Sequence, residues 1–225
     1  MDVIVLGAHP AAPEGKPIKH HGNSWLNFLV ALGCQDRNPP LAALLAAYHG
    51  LSDVVGVLSP VHWEATHNDA MIVAAGEALQ LTEDQAKLLF TAVRPFLLEE
   101  HMELFYHDKT TWLLLSQNKP SLRSESVFYL LHQSLMPVLA RLDDSLYWQR
   151  LLTELQMLFS SLDYCATQEP MSINGVWVYG EGNLHFPQHK IVFSNDPNLL
   201  AAFPKNIRPL DNKMSLPRQA IIVYR

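Results

Sequence analysis

The densest group of titratable and aromatic side chains in this sequence follows directly after an apolar run that ends at Leu58. Its members could act as acids, bases, metal ligands or hydrogen-bonding groups for a ligand: His62, Trp63, Glu64, His67 and Asp69. The run from Val54 to Leu58 is typical of a buried strand, and Pro60 is predicted to end that strand because proline cannot donate to a strand ladder. Ligands of open α/β sheets bind beyond the carboxyl ends of the strands, so we expect a ligand site in this segment.

The spacing within this group does not favour a helical metal site. His62 and His67 stand at positions i and i+5, whereas the two histidines of an HExxH motif stand at i and i+4 and so share one helix face. A histidine beside an aromatic residue is compatible with a packed, hydrogen-bonded side chain, with a ligand contact or with a metal ligand. We predict no resident metal and no cofactor, and a metal held by His62, Glu64, His67 or Asp69 is the alternative.

A second set of polar residues lies in the last third of the chain. Glu154 and Gln156 flank the apolar stripe of a predicted helix, where polar tips can reach the rim of a sheet crevice. Gly180-Glu181-Gly182 follows a predicted strand, and such a turn can present backbone N–H groups to an anion. The GxGxxG spacing of a nucleotide site is absent, so we interpret these three residues as a plain turn.

Two of the predicted strands carry polar or aromatic groups near their ends. Asn174 precedes the predicted strand Gly175 to Tyr179, and Trp177 lies within it. His62 and Trp63 follow the earlier strand. We therefore expect these four side chains to meet at one edge of the sheet, although more than 100 residues separate the two segments.

Two shorter motifs near the N-terminus lack the partners that their chemistry needs. Ala8-His9-Pro10 is similar to the start of the AHPDDE signature of zinc-dependent deacetylases, but Ala11 and Ala12 replace the carboxylates. His20-His21-Gly22 is similar to the RHG of histidine phosphatases without its arginine. We interpret both motifs as turn or loop sequence.

Composition excludes several classes of function. The formal charge is −6, and 16 scattered basic residues do not form the stripe that binds nucleic acid. The two cysteines do not form a CxxC pair, which disfavours a disulfide scaffold and a cysteine zinc site. The N-terminal MDVIVLGAHP is not typical of a signal peptide, and no apolar run is long enough to span a membrane. We expect a cytoplasmic protein with no nucleic-acid or membrane partner.

Strand and helix patterns alternate along the chain. The predicted strands are Val3 to Leu6, Val54 to Leu58, Glu103 to His107, Thr111 to Leu115, Gly175 to Tyr179, Lys190 to Phe193 and Ala220 to Tyr224. The predicted helices are Trp25 to Leu32, Leu41 to Tyr48, Glu83 to about His101, and a helical stretch from Ser124 to Leu162, with interruptions expected at Pro95 and Pro137. We expect Asn23 or Ser24 to cap the first helix, Gly50 to end the second, and Thr82 with Gln85 to form a capping box at the start of the third. This alternation predicts a single α/β domain over residues 1–225, a layered fold with a mixed, mostly parallel sheet flanked by helices.

Several segments of the chain resemble a family. They are Leu58–Trp63 with Asp69 downstream, Glu154–Leu158, and Ile173–Trp177 ahead of Gly180-Glu181-Gly182. In this order they resemble the TPxHW, D, ExQMxL and NSxWxSGxG patterns of bacterial proteins described as cofactor-independent phosphoglycerate mutase-like or as regulatory proteins of the Rpf type. The resemblance implies at most a distant alkaline-phosphatase-like core. It does not carry the mutase activity over, because Asp2 is followed by Val3 and the paired Asp and His clusters of metal-dependent mutases are absent.

These observations predict a small-ligand-binding or regulatory protein of unstated specificity, without metal-dependent catalysis. The first alternative is a metal-dependent phosphoryl-transfer enzyme, either phosphoglycerate mutase-like or a phosphatase, and the second is a protein–protein interaction module. The candidate ligand-binding residues are His62, Trp63, Glu64, Asp69, Glu154, Gln156, Asn174 and Trp177.

Overall fold

A computed structural model describes residues 2–6, 21–162, 172–211 and 220–225. The protein is α/β, with one antiparallel sheet, one parallel sheet and surrounding helices. The strands are β1 (Asp2–Val5), β2 (Val54–Ala65), β3 (Ala70–Ala75), β4 (Met102–Asp108), β5 (Thr111–Ser116), β6 (Gly175–Tyr179), β7 (Ile191–Ser194), β8 (Ile207–Pro209) and β9 (Ala220–Tyr224). The helices are α1 (Ser24–Leu32), α2 (Leu41–His49), α3 (Glu83–Glu99), α4 (Val127–Leu130), α5 (Met136–Leu139), α6 (Tyr147–Ser160) and α7 (Pro197–Ala202). A 3₁₀ turn spans Gly76–Leu79.

Strand β2 is the centre of the antiparallel sheet. One edge of β2 pairs with β6, and its other edge pairs with β5 near the start of the strand and with β3 near its end. Strand β4 pairs with the far edge of β5. The connections from β2 to β3 and from β4 to β5 are short, which forces antiparallel pairing.

The expectation that Pro60 ends the first strand of this sheet is wrong. Strand β2 continues through Pro60 to Ala65. Pairing with β5 stops at Leu58 and pairing with β3 starts at Val61, so Pro60 lies in a gap along that edge. A proline is tolerated there because no ladder bond needs its missing N–H. As a result, His62, Trp63 and Glu64 stand on a strand and not on a loop.

The expectation of one mixed, mostly parallel sheet is corrected as well. The parallel strands form a separate sheet in the order β1-β9-β7-β8. Hairpins join β2 to β3 and β4 to β5 in the antiparallel sheet, whereas each pair of neighbouring strands in the parallel sheet is joined by a longer crossover. Strand β8 was not predicted from sequence. An alkaline-phosphatase-like core is not confirmed.

The predicted helix caps are confirmed. Asn23 caps α1 by accepting from Leu26 N at 2.8 Å, and Gly50 ends α2 in the left-handed conformation at φ 66°. Thr82 and Gln85 form the capping box of α3. Helix α3 then runs through Pro95 without the split that we expected.

The stretch from Ser124 to Leu162 is less regular than predicted, with two single-turn helices before α6. Helix α6 packs on β6, and its buried face includes Leu151, Leu155 and Phe159. Helices α1 and α2 lie between the two sheets, because α1 contacts β1 and β9 while α2 contacts β2. One connected hydrophobic core therefore extends from the parallel to the antiparallel sheet.

The Ala8-His9-Pro10 motif and His20 lie outside the described residues. Among the residues that the structure does describe, no helix is both long and apolar enough to cross a membrane.

Candidate functional site

Four of the predicted site residues meet where β2 and β6 pair. The Asn174 side chain clasps the backbone of Trp63: its Oδ1 accepts from Trp63 N at 2.7 Å, and its Nδ2 donates to Trp63 O at 2.8 Å. His62 Nδ1 donates to the carbonyl of Ser172 at 2.5 Å. The rings of Trp63 and Trp177 have centroids 5.8 Å apart. The predicted meeting of these segments is confirmed, and its cause is antiparallel pairing of two neighbouring strands.

This group, which we call the β2–β6 interlock, is built mainly as packing. Trp63 is 6% exposed and Trp177 is fully buried, so neither ring presents a face to a ligand. A Cβ on Gly175 would lie 3.0 Å from Trp63 Nε1, so the backbone of β6 approaches that indole closely. The side-chain amide of Asn174 forms its hydrogen bonds with the backbone of the neighbouring strand, at Trp63.

The other predicted residues of the first cluster lie around the β2–β3 turn. Asp69 Oδ1 accepts from Ser134 Oγ at 2.7 Å and from Ala70 N at 2.8 Å, which holds the turn. Glu64 and His67 are exposed to solvent. Within the described ranges, no group of three or more His, Cys, Asp or Glu side chains is arranged to hold a metal ion.

Glu154 and Gln156 lie on α6 and are half-buried. Glu154 Oε1 lies 3.6 Å from Arg150 Nε, one helical turn earlier. Arg150 in turn lies 3.8 Å from Glu100 at the end of α3. These contacts connect Glu154, through Arg150, to the end of α3 and not to the β2–β6 interlock.

A different cluster occupies the opposite end of β6, where the strand leads into the turn Gly180-Glu181-Gly182. Asn38 Oδ1 accepts from Gly180 N at 2.9 Å and fixes the turn against the start of α2. A cleft of about 470 Å³ opens beside it, and we call it the arginine cleft. Its polar lining includes Arg37, Asn38, Arg123, Glu125, Arg141 and Glu181.

Glu125 organises the positive charge of the arginine cleft. Its side chain is only 7% exposed, and its Oε1 binds both Arg37, at 2.6 Å, and Arg141. Both guanidinium groups are about half exposed, so they keep contact with solvent while the buried carboxylate holds them. Arg123, also about half exposed, pairs with the exposed Asp144.

Glu181 differs from Glu125 because no arginine of the described residues lies within ion-pair distance of it. Its Oε1 accepts from Ser124 N at 2.6 Å, and its buried Oε2 has no hydrogen-bond partner in the same part of the chain. Burial raises the pKa of Glu181, and the backbone N–H groups of Ser124 and Glu181 and the Asn38 side chain oppose that rise. The arginine cleft therefore contains a carboxyl group whose charge is not compensated by a neighbouring cation.

The β2–β6 interlock and the arginine cleft are connected through Trp177. Its indole Nε1–H donates to the carbonyl oxygen of Glu125 at 2.9 Å. Ser124 Oγ also donates, to Val178 O at 2.6 Å. These two hydrogen bonds fix the backbone of Ser124 and Glu125 against strand β6.

Sequence reasoning missed the arginine cleft. Its charged residues come from four separate parts of the chain, and none belongs to a local motif. The only local signal was the Gly180-Glu181-Gly182 turn, interpreted as a plain turn whose backbone might face an anion. Comparison of the chain with protein-family models, with curated proteins and with solved structures gives no match.

Proposed function

We propose that the protein binds a small anionic ligand in the arginine cleft. The observation that carries this proposal is the convergence of Arg37, Arg123 and Arg141 on one cleft, with two of them held by the buried Glu125. With Glu125 and Glu181 both ionised, the lining still has a formal excess of one positive charge. The whole chain, in contrast, has a formal charge of −6.

Arginine suits this role because its planar guanidinium donates several hydrogen bonds in a fixed geometry to carboxylate or phosphate oxygens. In each of the three side chains, the contact to a carboxylate involves Nη2. Because Glu125 already orders Arg37 and Arg141, a ligand would not have to immobilise two free side chains.

The size of the arginine cleft also fits a small molecule. Its volume of about 470 Å³ lies within the range of roughly 300 to 1,000 Å³ that is usual for ligand pockets. The proposal keeps the ligand-binding function expected from the sequence. It places the binding residues at the end of β6 near Glu181, and not at the start of β6, where His62 of β2 lies.

Calorimetric titration of the protein with sodium acetate and with inorganic phosphate, at constant ionic strength, tests the proposal. We expect saturable binding of at least one anion. Arg141→Gln should weaken it about tenfold or more, because a hydrogen bond to a charged group contributes roughly 1.5 to 3 kcal/mol. Arg37 still pairs with Glu125 in this variant, so the fold is expected to persist.

Arg94→Gln is the matched control, because Arg94 is an exposed residue of α3 and does not line the arginine cleft. This variant should bind the anions like the natural protein. The proposal fails if neither anion binds saturably, or if Arg141→Gln and Arg94→Gln bind equally well.

A further inference from the structure

The two glutamates of the arginine cleft have different electrostatic surroundings. Glu125 is paired with two arginines, and Arg123 is paired with Asp144. In the part of the chain that the structure describes, no cation lies within ion-pair distance of Glu181. Its Oε2 is buried and accepts no hydrogen bond from any described residue.

An unpaired buried carboxylate is costly, since a lost hydrogen bond to a charged group and the loss of hydration are not compensated. A hydrogen-bonded cation that reaches such a carboxylate reduces this cost. Burial raises the pKa of Glu181 for the same reason. The arginine cleft therefore offers two complementary features to one ligand: guanidinium donors for an anion, and an uncompensated carboxylate for a cation.

These two features lie close together. Ser124 N holds Glu181 Oε1 at 2.6 Å, and Ser124 stands between Arg123 and Glu125 in the chain. The carboxylate of Glu181 is thus anchored on the same short segment that supplies one arginine of the cleft and the glutamate that holds the other two.

From this arrangement we propose that the ligand of the arginine cleft is a free α-amino acid, whose carboxylate binds the arginines and whose ammonium group binds Glu181. This inference rests on the proposed anion-binding function and adds the second recognition group. In an α-amino acid the carboxylate and the ammonium are attached to the same carbon, which matches a short separation between the two protein groups. The remaining volume of the cleft would hold the amino-acid side chain.

Calorimetry with matched pairs of ligands tests this proposal. Each of glycine, L-alanine, L-leucine and L-phenylalanine is compared with the carboxylate that lacks the amino group: acetate, propionate, isocaproate and hydrocinnamate. Glycolate and lactate replace the amino group of glycine and L-alanine by a hydroxyl. We expect at least one amino acid to bind at least tenfold more tightly than its desamino counterpart, and glycine or L-alanine, where it binds, to exceed its hydroxy counterpart by the same factor.

Glu181→Gln separates the two recognition groups. It removes the carboxylate charge but keeps the side-chain length and an oxygen that can accept from Ser124 N. The tenfold advantage of the amino acid should disappear in this variant, while affinity for the desamino carboxylate stays within about twofold. Arg141→Gln should weaken both ligands, and Arg94→Gln neither.

Three results would overturn the proposal. If amino acids and desamino carboxylates bind equally and both need Arg141, the anion site stands and the amino-acid inference fails. Equal binding of lactate and L-alanine would show that Glu181 receives a neutral hydroxyl. If none of the tested compounds binds, both the anion site and the amino-acid inference fail.

Discussion

The two ends of strand β6 use polar groups in opposite ways. At its start, the Asn174 amide accepts from Trp63 N and donates to Trp63 O, and the neighbouring indoles are buried. At its end, Glu181 keeps one oxygen without a partner, beside three half-exposed arginines. At the first end the Asn174 bonds stabilise the fold, and the group left without a partner in the described structure is a neutral donor, Trp63 Nε1. At the second end the group left without a partner is a carboxylate oxygen, and a ligand with a donor group could satisfy it.

Stability and binding should therefore respond separately to substitutions at the two ends. A change in the β2–β6 interlock should lower the free energy of unfolding and leave ligand affinity intact. A change in the arginine cleft should weaken ligand binding without lowering the free energy of unfolding by more than about 1 kcal/mol.

The largest expected effect comes from the helix that supports both ends. Leu155 of α6 is fully buried on the face that packs against β6. Leu155→Ala should lower the free energy of unfolding by roughly 2 to 5 kcal/mol because it leaves a cavity. Met157, which is 66% exposed, provides the control, and Met157→Ala should cost less than about 1 kcal/mol. Equal losses in a denaturant titration would contradict the orientation of α6.

The next effect isolates the β2–β6 interlock. Asn174→Ala removes both bonds to the Trp63 backbone and should destabilise the protein by about 1 to 3 kcal/mol. Asn174→Asp keeps an acceptor for Trp63 N–H and loses the donor to Trp63 O, so its loss should be smaller. Affinity for the ligand of the arginine cleft, measured by calorimetry, should be unchanged in both variants. If affinity falls together with stability, the β2–β6 interlock and the arginine cleft belong to one binding site, which contradicts the prediction.

How far the sequence predicted this molecule depends on the range of the interactions. The caps at Asn23, Gly50 and Thr82 depend on residues within one helical turn, and they were predicted correctly. The course of β2 through Pro60 depends on which distant strands pair with it, and it was predicted wrongly.

The same distinction applies to the candidate site. The meeting of Trp63 with Asn174 could be predicted because both residues border recognisable strands. The arginine cleft joins Arg37, Arg123, Arg141 and Glu181, which stand in loops and turns with no pattern that links them. Hydrogen bonds between distant segments bring them together: Ser126 N donates to Arg37 O, Arg123 N to Leu142 O, and Gly180 N to Asn38 Oδ1.

A third effect concerns the stability cost of Glu181. Because burial raises its pKa above the ordinary 4.5, the natural protein should lose stability as pH rises from 4.5 through the folded-state pKa. Glu181→Gln removes that loss and should be more stable at neutral pH, by on the order of 1 kcal/mol, with no gain below pH 4.5. Denaturant midpoints of both proteins across this range measure the difference. A destabilised variant at neutral pH would show that the ionised Glu181 is well compensated.

A second source of pH-dependent stability, the His49–His107 pair, cancels when the natural protein is compared with Glu181→Gln. His49 Nε2 lies 2.8 Å from His107 Nδ1, and burial lowers the pKa of both imidazoles below the usual 6.5. Stability from this pair is complete above pH 6.5 and is lost as pH falls through the lowered values. It contributes equally to the natural protein and to Glu181→Gln.

The smallest expected effect on stability belongs to Arg123. Its ion pair with Asp144 is on the surface, and Asp144 is 93% exposed, so Arg123→Gln should change the free energy of unfolding by less than about 1 kcal/mol. Its affinity for a bound anion should nevertheless fall several-fold. If Arg123→Gln binds anions like the natural protein, Arg123 lies outside the ligand contacts.

The central claim is that ligand binding occurs at the Glu181 end of β6 and not at the Trp63 end, and two indole N–H groups report on these ends directly. Trp177 Nε1–H donates to the carbonyl of Glu125 in the arginine cleft, whereas Trp63 Nε1 has no hydrogen-bond partner within the described structure. Nitrogen–proton correlation NMR of the natural protein resolves the indole signals of its five tryptophans, and Trp177→Phe and Trp63→Phe assign these two. During titration with glycine or acetate, the account predicts a saturable shift of the Trp177 signal and a stationary Trp63 signal. A shift of the Trp63 signal with a stationary Trp177 signal would contradict it.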